Sequence, residues 1–426
     1  GQLPQSGGIP RYGPTARLGG VARPFALPVL REETAASRVL ASAVDARAGR
    51  KHRARLDRPR VVYLDHIAQL SGGEIALARM LAALPDVDAH VILGADGPLR
   101  AQLERAGAEV EVIELDAGAR DTRRDVAVGA GGLRAAAALT GHTARLARRL
   151  RQLRPDVVHS NSLKSGYYGA AAARIAGVPL VWHLRDRLVD DYLPARAISA
   201  TRALLHSAPA AVLCPSREVA SHVGGPAAVV PDPYAASRPP REPTESLRTI
   251  GVVGRISPWK GQDVALRALA HLPDLRLRVI GSPIFGEDDY LQQLRDLAAE
   301  LGVADRVDFV GFVDDVEDEL RRLDALVHAS TVAEPFGQVV VEGLAAGVPV
   351  IATDAGGPRE IVTDHVDGLL VAPGDADAMA GALRELAGDA ALRAQLAENG
   401  VRRATAFAPD VIGAQVQALY REILGY

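Results

Sequence analysis

Cysteine is almost missing from this sequence: Cys214 is the single one in 426 residues. That excludes a disulfide framework and any cysteine-rich metal site. An excess of charge of one sign is missing too. The formal net charge is -3, so no global basic field argues for nucleic acid as a partner. No run of about 18 uncharged apolar residues occurs, which argues against a membrane-spanning helix. The first residues lack the basic, then apolar, then small-residue order of a secretory signal. What remains is ordinary globular composition, with 48% hydrophobic and 24% charged residues. The length suits two domains of roughly 150–200 residues each. These bounds predict a soluble, cytoplasmic, two-domain protein.

Residues 1–56 differ from the rest. "GQLPQSGGIPRYGPTARLGG" is rich in Gly and Pro and poor in core formers, so a poorly ordered N-terminal extension is expected. "ARAGRKHRARLDRPR" (46–60) is a basic run that suits a solvated linker or a contact with an anionic surface. From residue 61 short β-branched runs alternate with helical patterns: "VVYLDH", "AHVILGAD", "EVEVIEL", "DVVHSNS", "VPLVWHL" and "AAVLCPS". "PDPYAASRPPREPTES" (231–246) interrupts them with five prolines and reads as a linker. The alternation then restarts with "RTIGVVGRI", "LRLRVIGS", "RVDFVGF", "ALVHAS", "VPVIATD" and "GLLVAP". Buried strands alternating with helices mean parallel sheets covered on both faces. The fold class expected is therefore α/β, with two Rossmann-like domains facing a cleft. The expected boundaries are 57–235, 247–408 and a C-terminal helix at 409–426.

Three loops carry chemistry, each ending a strand and opening a helix. In "LSGGEIAL", Gly72 and Gly73 would let backbone N–H groups approach an anion at a helix N-terminus, or simply make a tight turn. In "GVVGRISPWKGQDVAL", Gly254 and Gly261 bracket Arg255 and Lys260. Arg offers a planar fork to phosphate oxygens and Lys a point charge, so a diphosphate clamp is one reading and a solvated surface loop the other. In "AEPFGQVVVEGLAAGVPVIATDAGGPREIV", Pro335 suits a first helical turn and Gly347 a helix end. Glu334 would then start the helix, with Glu342 about two turns on and up to roughly 12 Å away. That is too far for an acid/base pair across one glycosidic bond, where carboxylates lie about 5–9.5 Å apart. Two distant parts of one elongated ligand would fit, or a helix-capping Glu334 with an exposed or paired Glu342.

Together "SGGEIALARML", "GRISPWKGQD" and "EPFGQVVVEGLAAGVPVIATDAGGPREIV" resemble the retaining nucleotide-sugar transferases of glycosyltransferase family 4, with GT-B architecture, over roughly residues 60–426. The resemblance implies a metal-independent transfer from a nucleotide-diphospho-sugar, a UDP- or GDP-sugar, with no other cofactor. It implies that Arg255 and Lys260 hold the leaving diphosphate, Glu342 the ribose hydroxyls and Glu334 the transferred sugar. Phe336, Gly337 and Gln338 would line the donor, with Gly72, Gly73 and Gly254 around the diphosphate. Gly311 and Val313, in "GFVDD", would meet the base through backbone atoms. His183 would lie beside the reacting face of the sugar, or else be structural. The C-terminal helix would cross back to the first domain. Asp232 and Pro233 stand where many relatives carry Asn-Gly, a departure at the hinge.

The resembled family binds acceptors in the first domain. Asn161, Ser162, Lys164, Arg185, Asp186 and Arg187 form a dense polar set there, suited to a saccharide or a lipid-linked, phosphate-bearing acceptor. A local salt-bridge network among Arg185, Asp186 and Arg187 is the plainer alternative. "TARLARRLRQLRP" (143–155) would lie on anionic lipid or pack its leucines on the sheet. Asp375 and Asp377 read as helix-capping residues and not as metal ligands. An epimerase or phosphorylase on the same architecture, or a catalytically silent binding module, are the rival functions. An epimerase needs no acceptor, and a silent module would bind nucleotide without turnover.

Overall fold

The computed structural model describes residues 58–116, 130–190, 193–284 and 286–426. The expected extension, and residues 46–57 of the basic run, lie outside the described residues.

The first half is built on seven strands: β1 (Arg60–Asp65), β2 (Asp88–Leu93), β3 (Glu109–Val112), β4 (Val157–Ser160), β5 (Leu180–His183), β6 (Ala211–Cys214) and β7 (Ala228–Val229). Their order is β3-β2-β1-β4-β5-β6-β7, and every pairing is parallel. The second half has six: β8 (Thr249–Val253), β9 (Arg276–Ile280), β10 (Val307–Gly311), β11 (Ala325–Val327), β12 (Val350–Thr353) and β13 (Leu369–Val371). Their order is β10-β9-β8-β11-β12-β13, again all parallel. Both sheets are covered on both faces, which is why strands such as "VVHS" and "VIAT" are buried at every position. The two-domain Rossmann-like, GT-B-type expectation is met.

In each sheet the strand order reverses once, between β1 and β4 and between β8 and β11. Ligands of open parallel sheets bind beyond the strand ends at such reversals. The glycine, cation and glutamate motifs all follow β1, β8 or β11.

Four helices position the site. Helix α1 (Gly72–Ala82) follows β1, and α2 (Ala130–Leu153) precedes β4. Helix α3 (Gln338–Ala345) follows β11, and α4 (Pro409–Leu424) closes the chain. In α4 a stripe at Ile412, Val416 and Tyr420 is buried on Val61, Tyr63 and Leu77 of the first half. Spacing of four places the three on one face, and each such burial contributes about 1.5–3 kcal/mol. The C-terminal helix therefore does cross back.

One expectation needs correction. Helix α3 starts at Gln338, because Gly337 turns left-handed at φ 101 and caps it, so Glu334 and Pro335 lie in the preceding loop. The rise-per-residue argument for the Glu334–Glu342 separation thus had no common helix to rest on. In α2, Leu146 and Leu150 pack into the core while Arg145, Arg148 and Arg151 are exposed. Arg185 pairs with Asp232 at 2.5 Å and Arg187 with Glu218 at 3.3 Å. Asp375 accepts from the Ala378 N–H at 2.8 Å, the cap expected of it.

Candidate active site

In the second half the site is built around Glu334. Its Oε1 accepts from Lys260 Nζ at 2.6 Å. Its Oε2 accepts from His328 Nε2 at 2.6 Å and Ser330 Oγ at 2.9 Å. The Glu334 backbone is anchored as well, its carbonyl accepting from the Gly357 N–H at 2.8 Å. His328 is steadied from behind by Thr353 Oγ1 at 3.2 Å from its Nδ1. Burial alone would raise the Glu334 carboxyl. Lys260 and His328 outweigh it and hold the group well below the usual carboxylate range. Glu334 is therefore a fixed negative charge whose orientation three side chains dictate. It does not cap a helix.

Lys260 ends a short 3-10 turn, Pro258–Lys260, and lies over the Trp259 ring at 4.4 Å. Gly261 follows at φ 67, and a Cβ there would come within 2.0 Å of the Ala329 carbonyl oxygen. Only glycine lets this loop lie so close to the end of β11, and that closeness brings Lys260 to Glu334. Arg255 is held through its carbonyl by Gln262 Nε2 at 2.9 Å, and its Nε faces Glu287 Oε2 at 3.4 Å. Gly254 precedes it at φ 142. The clamp loop thus presents two cations beyond the carboxyl end of β8.

The two halves meet at the residues expected around the donor. Gln338 Nε2 donates to the Gly72 carbonyl at 2.5 Å and to Asp232 Oδ2 at 3.2 Å. Arg79 of α1 donates to Gln338 Oε1 at 3.1 Å, pairs with Glu342 Oε1 at 2.7 Å and lies 4.8 Å over the Tyr234 ring. Glu360 caps from the opposite side, accepting from the Arg217 and Glu218 N–H groups at 2.9 and 2.8 Å. Phe336 is buried against Phe407, 5.9 Å between ring centres. Gly311 ends β10 at φ 84, followed by the 58% exposed Phe312 and a half-buried Val313.

In the first half, His183 ends β5 and is 1% exposed. Its Nδ1 lies 3.4 Å from Arg185 Nη2 and 3.4 Å from His159 Nε2. His159 Nδ1 is 2.7 Å from the Tyr420 hydroxyl, which is 3.0 Å from that of Tyr63. Burial, with Arg185 nearby, lowers both imidazoles: His159 to about 3 and His183 well below its ordinary value. Both rings are neutral at physiological pH. Arg185 also donates to Asn161 Oδ1 at 2.8 Å, and Asn161 donates to Asp65 Oδ2 at 2.7 Å and the Gly73 carbonyl at 3.0 Å. Of the expected acceptor residues, Asn161 and Arg185 are brought together as a buried frame under α1. Lys164 sits half-buried at the second position of the helix Leu163–Ala176.

Sequence reasoning missed several of these residues. Asp65, His66 and Glu74 converge at the end of β1, with one ligand-type atom from each within 4.8 Å of the others. Burial, and then the Asp65 charge, push the Glu74 carboxyl up to about 7, although Ser71 and His66 oppose the shift. The group could hold a cation, but Asp65 already accepts from His66 and Asn161. His328, Arg79, His159 and Tyr420 were also missed. Only the position of His328 at a strand end, six residues before Glu334, offered a local signal.

Two family models match the chain: "Glycosyltransferase Family 4" over residues 98–232 and "Glycosyl transferases group 1" over 235–403. A D-inositol 3-phosphate glycosyltransferase of Thermobispora bispora is 32% identical over 311 residues, covering 64% of this chain and 71% of the relative. Its counterpart in Stackebrandtia nassauensis is 38% identical over 205 residues, covering 45% of this chain and 46% of the relative. The match spans less than half the length of that relative, and 20% and 42% of two others of similar identity. Among solved structures, Anabaena HepE in complex with UDP and glucose aligns with a TM-score of 0.75 at 27% identity, over 85% of this chain and 99% of that one.

Proposed function

We propose that this chain, which belongs to the family 4, group 1 glycosyltransferases, moves a sugar from a nucleotide-diphospho-sugar to a polar acceptor with retention of anomeric configuration. The observation that carries the reading is the Lys260–Glu334–His328 arrangement beyond β8 and β11, with Arg255 in the same loop. Departure of a nucleoside diphosphate develops negative charge. Cations already fixed in place stabilise that charge most in the transition state. Lys260 and Arg255 would take the diphosphate, with N–H groups at the starts of α1 and α3 assisting. Glu334, kept ionised, would accept hydrogen bonds from the sugar hydroxyls and oppose the positive charge that grows at the anomeric carbon. Glu342 would take the ribose, using the oxygen that Arg79 leaves available.

A UDP-sugar is the donor we favour, because the 27% identical HepE structures contain UDP and UDP-glucose; a GDP-sugar is the alternative. Fixed cations at the diphosphate make a metal unnecessary in this scheme. The acceptor is a saccharide, a lipid-linked glycan or a small polyol, and relatives named for D-inositol 3-phosphate fit that class. Lys164 and the Asn161–Arg185 frame lie on the acceptor side. We place the work in the cytoplasm. Exposed Arg145, Arg148 and Arg151 on α2 suit peripheral contact with an anionic membrane; no helix among the described residues is long and apolar enough to cross one.

The test is transfer from UDP-glucose and GDP-mannose to a panel of sugars and polyols, with and without EDTA, the product read by NMR. The reading predicts an α-linked product from an α-donor and no loss with EDTA. An inverted linkage, or turnover abolished by EDTA and restored by a divalent ion, overturns it. Conversion of donor alone to an epimer would instead indicate an epimerase.

A further inference from the structure

The buried polar chain beneath the cleft has one self-consistent arrangement of protons, and it starts from Arg185. A guanidinium can only donate. Its Nη2 lies 3.4 Å from His183 Nδ1, so that nitrogen is bare. The other neighbour of the same atom is His159 Nε2, also at 3.4 Å. Two lone pairs facing each other in a buried site would repel, so His159 carries its proton on Nε2. His159 Nδ1 is then bare and accepts from the Tyr420 hydroxyl at 2.7 Å. The Tyr420 oxygen accepts in turn from Tyr63 at 3.0 Å. Every proton in the chain points toward His183. The burial-lowered basicity of both rings agrees with neutral imidazoles throughout.

That leaves the His183 proton on Nε2, and this atom is buried without a hydrogen-bond partner. An unmatched buried donor is costly, and a ligand oxygen placed against it offsets that cost. We propose that Tyr420 and His159 are positioning residues that fix His183 as a neutral Nε2–H donor for a hydroxyl oxygen of the transferred sugar. The inference rests on the reading that His183 lies at the sugar. It adds that the C-terminal helix, which supplies Tyr420 from 261 positions beyond His159, completes the active site and does not merely cover it.

Two measurements test this on the full chain. Long-range ¹H–¹⁵N spectra of protein labelled in its histidines report tautomers directly, with assignments from His159→Gln and His183→Gln. The expected result at pH 7 is Nε2–H for both rings. An Nδ1–H tautomer or an imidazolium at either position overturns the chain. In kinetics, Tyr420→Phe should lower kcat about tenfold, the scale of one lost hydrogen bond, with the donor KM unchanged. In a His183→Asn background the same change should have no further effect. Additive losses would mean that Tyr420 acts only on structure and would overturn its positioning role. Full activity in His183→Asn alone would overturn the sugar contact on which the inference rests; the spectra, which need no turnover, tell that failure apart from failure of the proton arrangement.

Discussion

Arg79 and Glu342 join the two halves of the molecule: the guanidinium Nη2 lies 2.7 Å from Glu342 Oε1, and Nη1 donates to Gln338 at 3.1 Å. One side chain of the first half thus occupies part of the carboxylate expected to meet the donor's ribose. Contact between the halves and the proposed ribose contact share a residue. Arg79→Ala should loosen the contact between the halves and raise the radius of gyration of the nucleotide-free protein in small-angle scattering. The stability loss should exceed the ~1 kcal/mol of a surface pair, because the Glu342 side chain is only 10% exposed and would lose its cation. Unchanged dimensions would mean that the Glu360 cap and the Gln338–Gly72 contact suffice to hold the halves.

Lys260→Ala should reduce turnover by about 10²–10³-fold, the range for removing one preorganised donor at a developing anion. Glu334→Gln should reduce it comparably while leaving Lys260 in a site built for a partner. The acid side of the stability profile follows from the same carboxyl. Its folded value is depressed, so its contribution is complete above the unfolded value near pH 4.5 and is lost as pH falls through the folded one. Denaturant titrations from pH 5 downward should show Glu334→Gln losing less stability than the native chain.

Glu74 runs in the opposite direction. Its carboxyl is raised from 4.5 to about 7, so between those values the folded protein holds a proton that the unfolded chain has released. Stability should therefore fall as pH rises through this window, by an amount on the order of a few kcal/mol. Glu74→Gln should flatten the curve. Melting temperatures of both proteins from pH 5 to pH 8 decide it: parallel curves would contradict the burial argument.

Gly261→Ala should destabilise the second half by well over the ~1 kcal/mol typical of glycine replacement at a left-handed position. The added Cβ would lie 2.0 Å from a backbone oxygen and would push the clamp loop off β11. Chemical denaturation reads the loss, and the variant's nucleotide affinity should drop with it.

The strands were legible because a strand buried on both faces must be a short apolar run, as "VVYLD" and "VIAT" are. The reversals in strand order then fixed where motifs at strand ends would gather. Helix α4 was legible from the regular spacing of Ile412, Val416 and Tyr420. What escaped was set by long-range packing. Tyr420 meets His159 only because α4 lies on one face of β4, and nothing local marks either residue as polar core. Asp232 looked like a hinge substitution, yet it is the partner that holds Arg185 at 2.5 Å. Glu334 looked helical because the apolar run after it is helical. A single left-handed Gly337 separates the two, and a pattern of hydrophobicity does not register a φ angle.

The central claim is that the clamp loop after β8 holds a nucleoside diphosphate while Glu334 holds the sugar. Calorimetric titration of the native chain, Lys260→Ala and Glu334→Gln with UDP and with UDP-glucose, and with the guanosine pair, tests it most directly. The account predicts that Lys260→Ala weakens binding of the free diphosphate by about tenfold or more, as loss of a charge-assisted contact should. Glu334→Gln should bind the diphosphate well and lose the preference for the sugar-bearing form. Native affinity for every one of these nucleotides in Lys260→Ala would contradict it.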